Sequence, residues 1–177
     1  MQSVAKLQED HGKYFSQSYV DERARKHREN PFHSYIFDNL IKYDIVMGYV
    51  EIVGGEHNGE YKCRPCIILN PSVDIAIDNT IITGSQIIPI TSTYNSKSYF
   101  DKKFKIPFKN DRDVGLDYSY KSYMNLVNYH DNFFNNSIDI LALRKDYMET
   151  KIGHLPEIDQ DSIDEKYDLW IIEKSKQ

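Results

Sequence analysis

Residues 43–70 read YDIVMGYVEIVGGEHNGEYKCRPCIILN, and residues 80–92 read TIITGSQIIPITS. In both stretches, short runs rich in Ile and Val are separated by Gly, Asn and Pro, a pattern typical of β-strands joined by turns. The segment GGEHNGEYK inside the first stretch carries the glycines and the Asn-Gly pair that mark a loop. We predict three strands here, at 44–53, 65–70 and 80–90.

Two chemically distinctive residues flank these strands. Arg64 comes directly before the second strand, and Thr91 comes directly after the third. A guanidinium that keeps its charge at neutral pH, set beside a hydroxyl on a rigid strand, can hold and neutralise a phosphate group. Taken alone, Arg64 could equally begin a strand and pair with Glu56 or Glu60. It is the combination of Arg64 with Thr91 that indicates a phosphate-binding site.

The rest of the chain continues the β pattern downstream and is helical upstream. Residues 1–42 predict two helices divided by Asn30-Pro31, because a proline disfavours a helical residue before it and suits a first helical turn after it. We therefore expect an α+β chain, mainly β with flanking helices, in which a helical extension (1–42) precedes a β domain (43–177). Further strands are predicted at 103–109, 119–129 and 147–154, and a C-terminal helix follows Pro156.

Length and composition favour one ordinary globular unit. The 177 residues, 40% hydrophobic and 28% charged, suffice for one core with an appendage. The apolar runs have the length of strands and are too short to span a membrane. The N-terminal sequence lacks the apolar middle of a secretory signal. We expect a soluble cytoplasmic protein that has no membrane contact.

The charge distribution is uneven. A formal net charge of −5 disfavours broad, nonspecific binding to nucleic acid, since that affinity comes from cations that neutralise phosphates. Residues 97–112, called the basic segment below, have the opposite balance. Aromatic residues interleave with its cations, and this combination is typical of surfaces that bind single-stranded RNA. The cations are Lys97, Lys102, Lys103, Lys105, Lys109 and Arg112, and the aromatic residues are Tyr99, Phe100, Phe104 and Phe108.

The basic segment also has a purely structural interpretation. In a strand, Phe104, Ile106 and Phe108 would face the core, and Lys103, Lys105 and Lys109 would face solvent. The two interpretations are compatible, because lysines that point outward remain available to RNA.

The two cysteines of the chain, Cys63 and Cys66, flank the Arg-Pro pair. A single CxxC can belong to a redox pair or to half of a zinc site. Residues three apart on an extended strand point to opposite faces, and the chain has no second cysteine pair. We therefore interpret both as ordinary strand residues and expect no metal or other cofactor.

Four pieces of the sequence resemble the MazF/PemK family of toxin endoribonucleases from type II toxin-antitoxin systems. YDIVMGYVEIVGGE (43–56) is similar to the family's opening strand. KCRPCIILN (62–70) is similar to its Arg-Pro strand, and IIPITS (87–92) matches its Pro-Ile-Thr-Ser. GLDYSYKSYMNLVNY (115–129) and KIGHLPE (151–157) are similar to its later strand and to the Ile-Gly element before its last helix.

The resemblance implies a small SH3-like barrel of the MazF/CcdB toxin type that forms a homodimer. It also implies cleavage of single-stranded RNA at short sequences, without a metal ion, and neutralisation by a cognate antitoxin protein. The residues that match the catalytic pair of the family are Arg64 and Thr91, and the acidic residue of the preceding loop is Glu56. The helical extension lies outside the resemblance and could cover the RNA groove, add dimer surface or bind the antitoxin.

The chemistry agrees with that assignment. When a ribose 2′-hydroxyl attacks the neighbouring phosphate, negative charge builds up on the phosphoryl oxygens. Arg64 can stabilise this charge and is a candidate proton donor to the leaving 5′-oxygen, while Thr91 can hold a phosphoryl oxygen. Glu56 or His57 is the candidate base. The expected products carry 2′,3′-cyclic phosphate and 5′-hydroxyl ends. The predicted RNA-binding residues are Ser92, His57, Lys97, Lys102, Lys103 and Lys105.

Two other functions fit the same fold. A CcdB-like protein of this superfamily poisons DNA gyrase by contact and needs no catalytic pair, so the presence of Arg64 with Thr91 argues against it. A catalytically silent RNA-binding module is the other alternative, and the acidic net charge is compatible with it. Replacement of Arg64 by Ala separates these hypotheses.

Overall fold

The computed structural model describes residues 13–52, 55–109, 122–126 and 141–175 of the chain. Eight strands and four α-helices lie in these ranges, together with a short 3₁₀ helix, Lys145–Tyr147. The helices are α1 (Gln17–Glu29), α2 (Pro31–Asp38), α3 (Tyr99–Phe104) and α4 (Glu157–Ser175). The strands are β1 (Tyr14–Phe15), β2 (Asp44–Glu51), β3 (Tyr61–Ile77), β4 (Thr80–Thr91), β5 (Lys105–Pro107), β6 (Tyr123–Asn125), β7 (Ala142–Arg144) and β8 (Met148–His154).

The predicted break between the two N-terminal helices is confirmed. Asn30 ends α1 and caps α2, where its side-chain oxygen accepts a hydrogen bond from the Phe32 backbone N–H at 3.0 Å. Pro31 occupies the first turn of α2. At the start of α1, Ser16 accepts from the Tyr19 N–H at 3.2 Å. Of the predicted first helix, residues 2–12 lie outside the described residues, and Tyr14–Phe15 form the strand β1 instead of helix.

Most of the predicted strands are observed, with different ends. The strand predicted at 65–70 is much longer, because β3 begins at Tyr61 and runs through to the turn at Asp78-Asn79. That turn has positive φ at both residues, as a two-residue hairpin requires. The strand predicted at 103–109 is only partly correct, since α3 occupies residues up to Phe104. Of the strand predicted at 119–129, residues 119–121 and 127–129 lie outside the described residues.

The strands form an antiparallel sheet in the order β5-β6-β4-β3-β2-β8, with β1 paired to β3 and β7 paired to β4. The expected α+β class, mainly β with flanking helices, is therefore confirmed. Within the described residues, the outer strands β5 and β8 do not pair with each other, so the sheet is not closed. No helix in these ranges is both long enough and apolar enough to cross a membrane.

Side chains of the central strands alternate between two faces, and each face carries its own apolar cluster. We call the face that carries Cys66, Ile68 and Ile87 face A, and these residues pack with Val46 and Leu143. The opposite face is face B. Its cluster joins the sheet to α4 and consists of Tyr43, Ile45, Ile67, Ile88, Ile90, Phe104, Ile106, Met124, Leu126, Leu155 and Ile163.

The Glu149 carboxylate holds α1 to β8, and His33 holds α2 to the same strand. The Arg23 guanidinium donates to both oxygens of Glu149, at 2.9 and 2.7 Å, and His27 Nε2 lies 3.3 Å from the same carboxylate. His33 stacks on His27 with ring centroids 4.0 Å apart, and its Nε2 donates to the Met148 carbonyl at 2.7 Å. A cavity of about 640 Å³ lies beside this network, between the two helices and β8.

Gly84 on β4 is a position where the packing leaves no room for a side chain. A Cβ atom there would lie 2.3 Å from Ile75 Cδ1 and 2.5 Å from the Leu143 carbonyl oxygen. We expect Gly84→Ala to lower the free energy of unfolding by roughly 1–3 kcal/mol, the usual cost of overpacking. Gly153→Ala on β8 is the matched control, because no atom lies within 4 Å of its added Cβ. Urea unfolding measures both, and equal midpoints for the two variants would contradict the prediction.

Candidate functional site

Arg64 lies where β3 changes its partner on one edge. Before it, Lys62 pairs with Tyr14 of β1, and after it, Cys66 pairs with Pro89 of β4. Pro65, which has no N–H, occupies the position between Arg64 and the start of the β4 pairing. On its other edge Arg64 pairs with Gly48 of β2. Arg64 therefore lies at a notch in the sheet, between the end of one pairing and the start of the next.

The register also brings Thr91 to this notch. Cys66 and Pro89 form the last pair of the antiparallel β3–β4 ladder, and Arg64 and Thr91 each lie two residues beyond it. Because alternate residues share a face, Arg64 lies on face A with Cys66, and Thr91 lies on face A with Ile87. Arg64 and Thr91 thus each lie two positions beyond the last pair of the β3–β4 ladder, on the two strands that carry the face A cluster.

The Arg64 guanidinium has no acceptor in the described part of the chain. Its Nε is buried and makes no hydrogen bond there. Neither Glu56 nor Glu60, the carboxylates with which it could have paired, forms an ion pair with it; Glu60 instead lies 3.2 Å from His57 Nδ1. A buried donor left without an acceptor typically costs about 1–3 kcal/mol. Such a group is expected where a ligand supplies the acceptor.

The loop that carries Glu56 and His57 reaches face A through aromatic contacts. His57 stacks on Tyr14, with centroids 3.7 Å apart and planes 7° apart. The Lys62 ammonium lies 5.4 Å from the centre of the same ring. Burial, together with the nearby charge of Arg64, lowers the pKa of Lys62. His57 is therefore linked to Arg64 only indirectly: its ring stacks on Tyr14, Tyr14 lies next to Lys62, and the charge of Arg64 acts on Lys62. Glu56 is exposed and forms no ion pair in the described residues.

Thr91 is buried at the end of β4, and Ser92 after it is exposed. The Thr91 hydroxyl accepts a hydrogen bond from the Thr93 backbone N–H at 3.1 Å, which turns the chain away from the strand. On the side of β4 away from β3, Thr91 pairs with Tyr123 of β6. The hydroxyl is therefore held at a fixed position on the rim of face A.

Lys105, predicted to bind RNA, has a different role. Its side chain is buried, and its Nζ lies 3.0 Å from Asp101 Oδ2 and 2.8 Å from the Thr93 carbonyl oxygen. The prediction assumed a continuous strand in which lysines point outward. Because α3 ends at Phe104 instead, Lys105 reaches back under the loop that follows Thr91. We correct the expectation for this residue, which stabilises the loop from inside.

The other predicted cations differ in availability. Lys97 and Lys102 are exposed on the loop and on α3. Lys103 is half-buried and bound to Glu173 of α4, and this hydrogen bond raises the pKa of its ammonium. Lys109 follows β5, and its backbone N–H donates to Asp159. Arg112 lies outside the described residues.

Both cysteines are buried and unbonded to each other. Both belong to the same apolar cluster. Burial raises the pKa of the Cys66 thiol to about 12. Within the described residues, no cluster of three or more His, Cys, Asp or Glu side chains is arranged to hold a metal ion.

Sequence reasoning missed two aromatic residues of this region. Tyr123 pairs with Thr91, and Tyr94 stacks on Tyr123 with centroids 4.7 Å apart and planes 13° apart. The segment TSTYNS contains no periodicity that would have singled out Tyr94, and Tyr123 comes 29 positions later in the sequence. Only the pairing of β4 with β6 brings the two rings together.

Comparison of the sequence with models of known protein families finds no match, and comparison with curated proteins finds none either. The functional argument therefore depends on the geometry of the site and on the motifs of the sequence.

Proposed function

We propose that this protein is a toxin of a type II toxin-antitoxin system, a MazF/PemK-type endoribonuclease that cleaves single-stranded RNA without a metal cofactor. The observation that carries the proposal is the Arg64 guanidinium, whose buried Nε has no acceptor in the described residues. Thr91 lies on the neighbouring strand, and the β3–β4 register continued by two residues would set it opposite Arg64. An arginine fork without a carboxylate partner suits a phosphate, which it can bind through paired hydrogen bonds.

The proposed reaction is transesterification within the RNA chain. The 2′-oxygen bonds to the neighbouring phosphorus, and the bond from phosphorus to the 5′-oxygen breaks. Arg64 neutralises the charge that builds up on the phosphoryl oxygens and supplies the proton that the leaving 5′-oxygen needs. Thr91 positions one phosphoryl oxygen. The products carry 2′,3′-cyclic phosphate and 5′-hydroxyl ends.

The geometry favours His57 over Glu56 as the base that removes the 2′-hydroxyl proton. His57 Nδ1 lies 3.2 Å from Glu60 Oε2, so a proton on Nδ1 is donated to that carboxylate. Nε2 then carries the lone pair that can accept a proton. Stacking on Tyr14 fixes the ring plane. Glu56 lacks a comparable orienting partner among the described residues.

We further propose that the sheet curls into an SH3-like barrel. The chain passes from β7, which pairs with β4, to β8, which pairs with β2, through only three residues of 3₁₀ helix. A connection this short supports strong curvature of the β7-β4-β3-β2-β8 run, with the face A cluster inside. The homodimer and the acidic antitoxin segment that would occupy the RNA site follow from the resemblance.

The test is incubation of the purified protein with a long single-stranded RNA in EDTA, followed by mapping of the cut ends and their chemistry. The proposal expects discrete cuts with 5′-hydroxyl ends, and no cuts with Arg64→Ala. Intact RNA in the presence of folded wild-type protein would favour a gyrase-binding or catalytically silent protein. Cuts that persist in Arg64→Ala would point to a contaminating nuclease or to another active site.

A further inference from the structure

One buried ion pair holds the backbone on both sides of Tyr94. Lys105 Nζ donates to the carbonyl oxygen of Thr93, at 2.8 Å, and Asp101 Oδ2 accepts from the N–H of Asn95, at 2.7 Å. The two charged groups lie 3.0 Å apart, and both residues are more than nine-tenths buried. A buried ion pair is stable only when further hydrogen bonds satisfy its remaining groups, and here the backbone of the loop supplies them. Tyr94 is therefore presented from a rigid loop.

The Tyr94 ring lies beside the proposed phosphate site. It stacks on Tyr123, which pairs with Thr91 across the β4–β6 ladder. Tyr94 itself is 37% exposed. Within the described residues its side chain contacts no other ring and makes no hydrogen bond. One aromatic face is thus supported by Tyr123, while no described side chain stacks on the other.

We propose that Tyr94 forms a nucleobase subsite, in which the outer face of its ring stacks on a base next to the phosphate held by Arg64 and Thr91. This inference rests on the proposed function, and it adds how the RNA is gripped beside the reacting bond. Stacking on an aromatic ring tolerates any base, since every base has a π-face, and it requires a single strand whose bases are unpaired. The rigid loop reduces the entropy lost on binding.

The expected effect is a loss of affinity that depends on the base. Removing an aromatic platform costs about 1–3 kcal/mol per stacked base, which corresponds to a roughly 5- to 150-fold weaker Kd. Tyr94→Phe keeps the ring and is expected to bind nearly as well as the wild type. Tyr94→Ala removes it. Because Tyr94 lies on the surface of a loop whose backbone is held by other residues, the variant is expected to fold.

The experiment measures Kd by fluorescence anisotropy with labelled, 2′-O-methylated oligouridine, a strand that cannot be cleaved because its 2′-oxygen is blocked. A second probe is an abasic strand of the same length. The inference expects Tyr94→Ala to weaken oligouridine binding and to leave abasic-strand binding unchanged. Tyr35→Ala is the control, since Tyr35 on α2 is 70% exposed and lies away from the site.

The outcomes separate this inference from the proposed function. Equal binding of oligouridine by Tyr94→Ala and the wild type overturns the subsite, as does an equal loss with the abasic strand or an absence of binding by the wild type. If Tyr94→Ala weakens binding of oligouridine but not of the abasic strand, and the wild type cuts no RNA, the subsite stands and the nuclease proposal is overturned. RNA cleavage that is equally fast in Tyr94→Ala and the wild type overturns the subsite and keeps the nuclease proposal.

Discussion

Arg64→Ala is expected to reduce the rate of RNA cleavage by roughly 10²–10³-fold, the usual loss when one preorganised donor to a developing oxyanion is removed. The reason is that Arg64 is the cation at the notch between β1 and β4, and its buried Nε has no other acceptor in the described residues. Single-turnover cleavage of an RNA that contains the mapped cut site measures the effect.

The same variant is expected to fold as well as the wild type. Most substitutions of a half-buried arginine remove a contact that stabilises the protein. Arg64 instead leaves a buried donor unsatisfied, so its removal relieves a cost of about 1–3 kcal/mol that partly offsets the lost packing of its alkyl chain. An unfolding midpoint close to that of the wild type, combined with lost cleavage, is the expected pair of results.

Two further variants sharpen the interpretation. Arg64→Lys keeps the positive charge but loses the planar fork, and we expect it to recover only a small part of the activity. Arg25→Ala is the matched control, because Arg25 is an exposed arginine already paired with Glu22 and Glu29. Full activity in Arg64→Ala, or an equal loss in Arg25→Ala, would contradict the proposed role of Arg64.

Glu149→Ala is expected to have the largest effect on stability. The carboxylate is about one-tenth exposed and receives hydrogen bonds from Arg23, His27 and Tyr49. Removing one partner of a buried pair typically costs about 3–5 kcal/mol, and we expect the lower end because about a third of the Arg23 side chain is exposed. The loss should weaken the attachment of α1 to β8. Urea unfolding measures the change, and hydrogen exchange in residues 17–38 locates it.

The same carboxylate predicts a dependence on pH. Burial alone would raise the pKa of Glu149, but the hydrogen bonds from His27 and Arg23 outweigh burial and lower it to about 2, from an ordinary value of 4.5. A carboxyl whose pKa is lower in the folded state stabilises the protein above its unfolded pKa. That contribution is lost as the pH falls from about 4.5 towards 2.

Glu149→Gln should therefore differ most from the wild type at neutral pH, and the difference should shrink in this acidic range. Glu22→Gln is the control, since Glu22 on α1 is exposed. A wild-type advantage that stays constant down to pH 2 would show that the carboxylate charge is not the source of the stability.

Much of the architecture follows from local sequence. Asn30-Pro31 divides the N-terminal helices because proline restricts the residue before it and suits a first turn. The Ile-rich runs that contain Ile67 and Ile88 form central strands because they can be buried on both faces. The helix after Pro156 was also predicted correctly. These features depend on residues within one turn or one strand of each other.

The ends of elements were less predictable. Alternation of Phe104, Ile106 and Phe108 predicted one strand, yet α3 takes the first of these residues and β5 takes the second. The Ser98 side chain accepts from the Asp101 N–H and starts a helix there, and Phe104 is buried equally well from the last turn of that helix. Hydrophobic pattern alone does not distinguish these two ways of burying one side chain.

The sequence by itself determined the central strands β2, β3 and β4, the helix break and the chemical identity of Arg64 and Thr91, because these depend on residue type and short-range spacing. Only the tertiary structure decided that Arg64 lacks an acceptor in the described residues, that Lys105 is buried under Thr93, and that Tyr94 stacks on Tyr123. The physical reason is that these properties come from strand register and from contacts between residues far apart in the chain. The energy of a buried charge or an aromatic pair is set by neighbours that folding brings together.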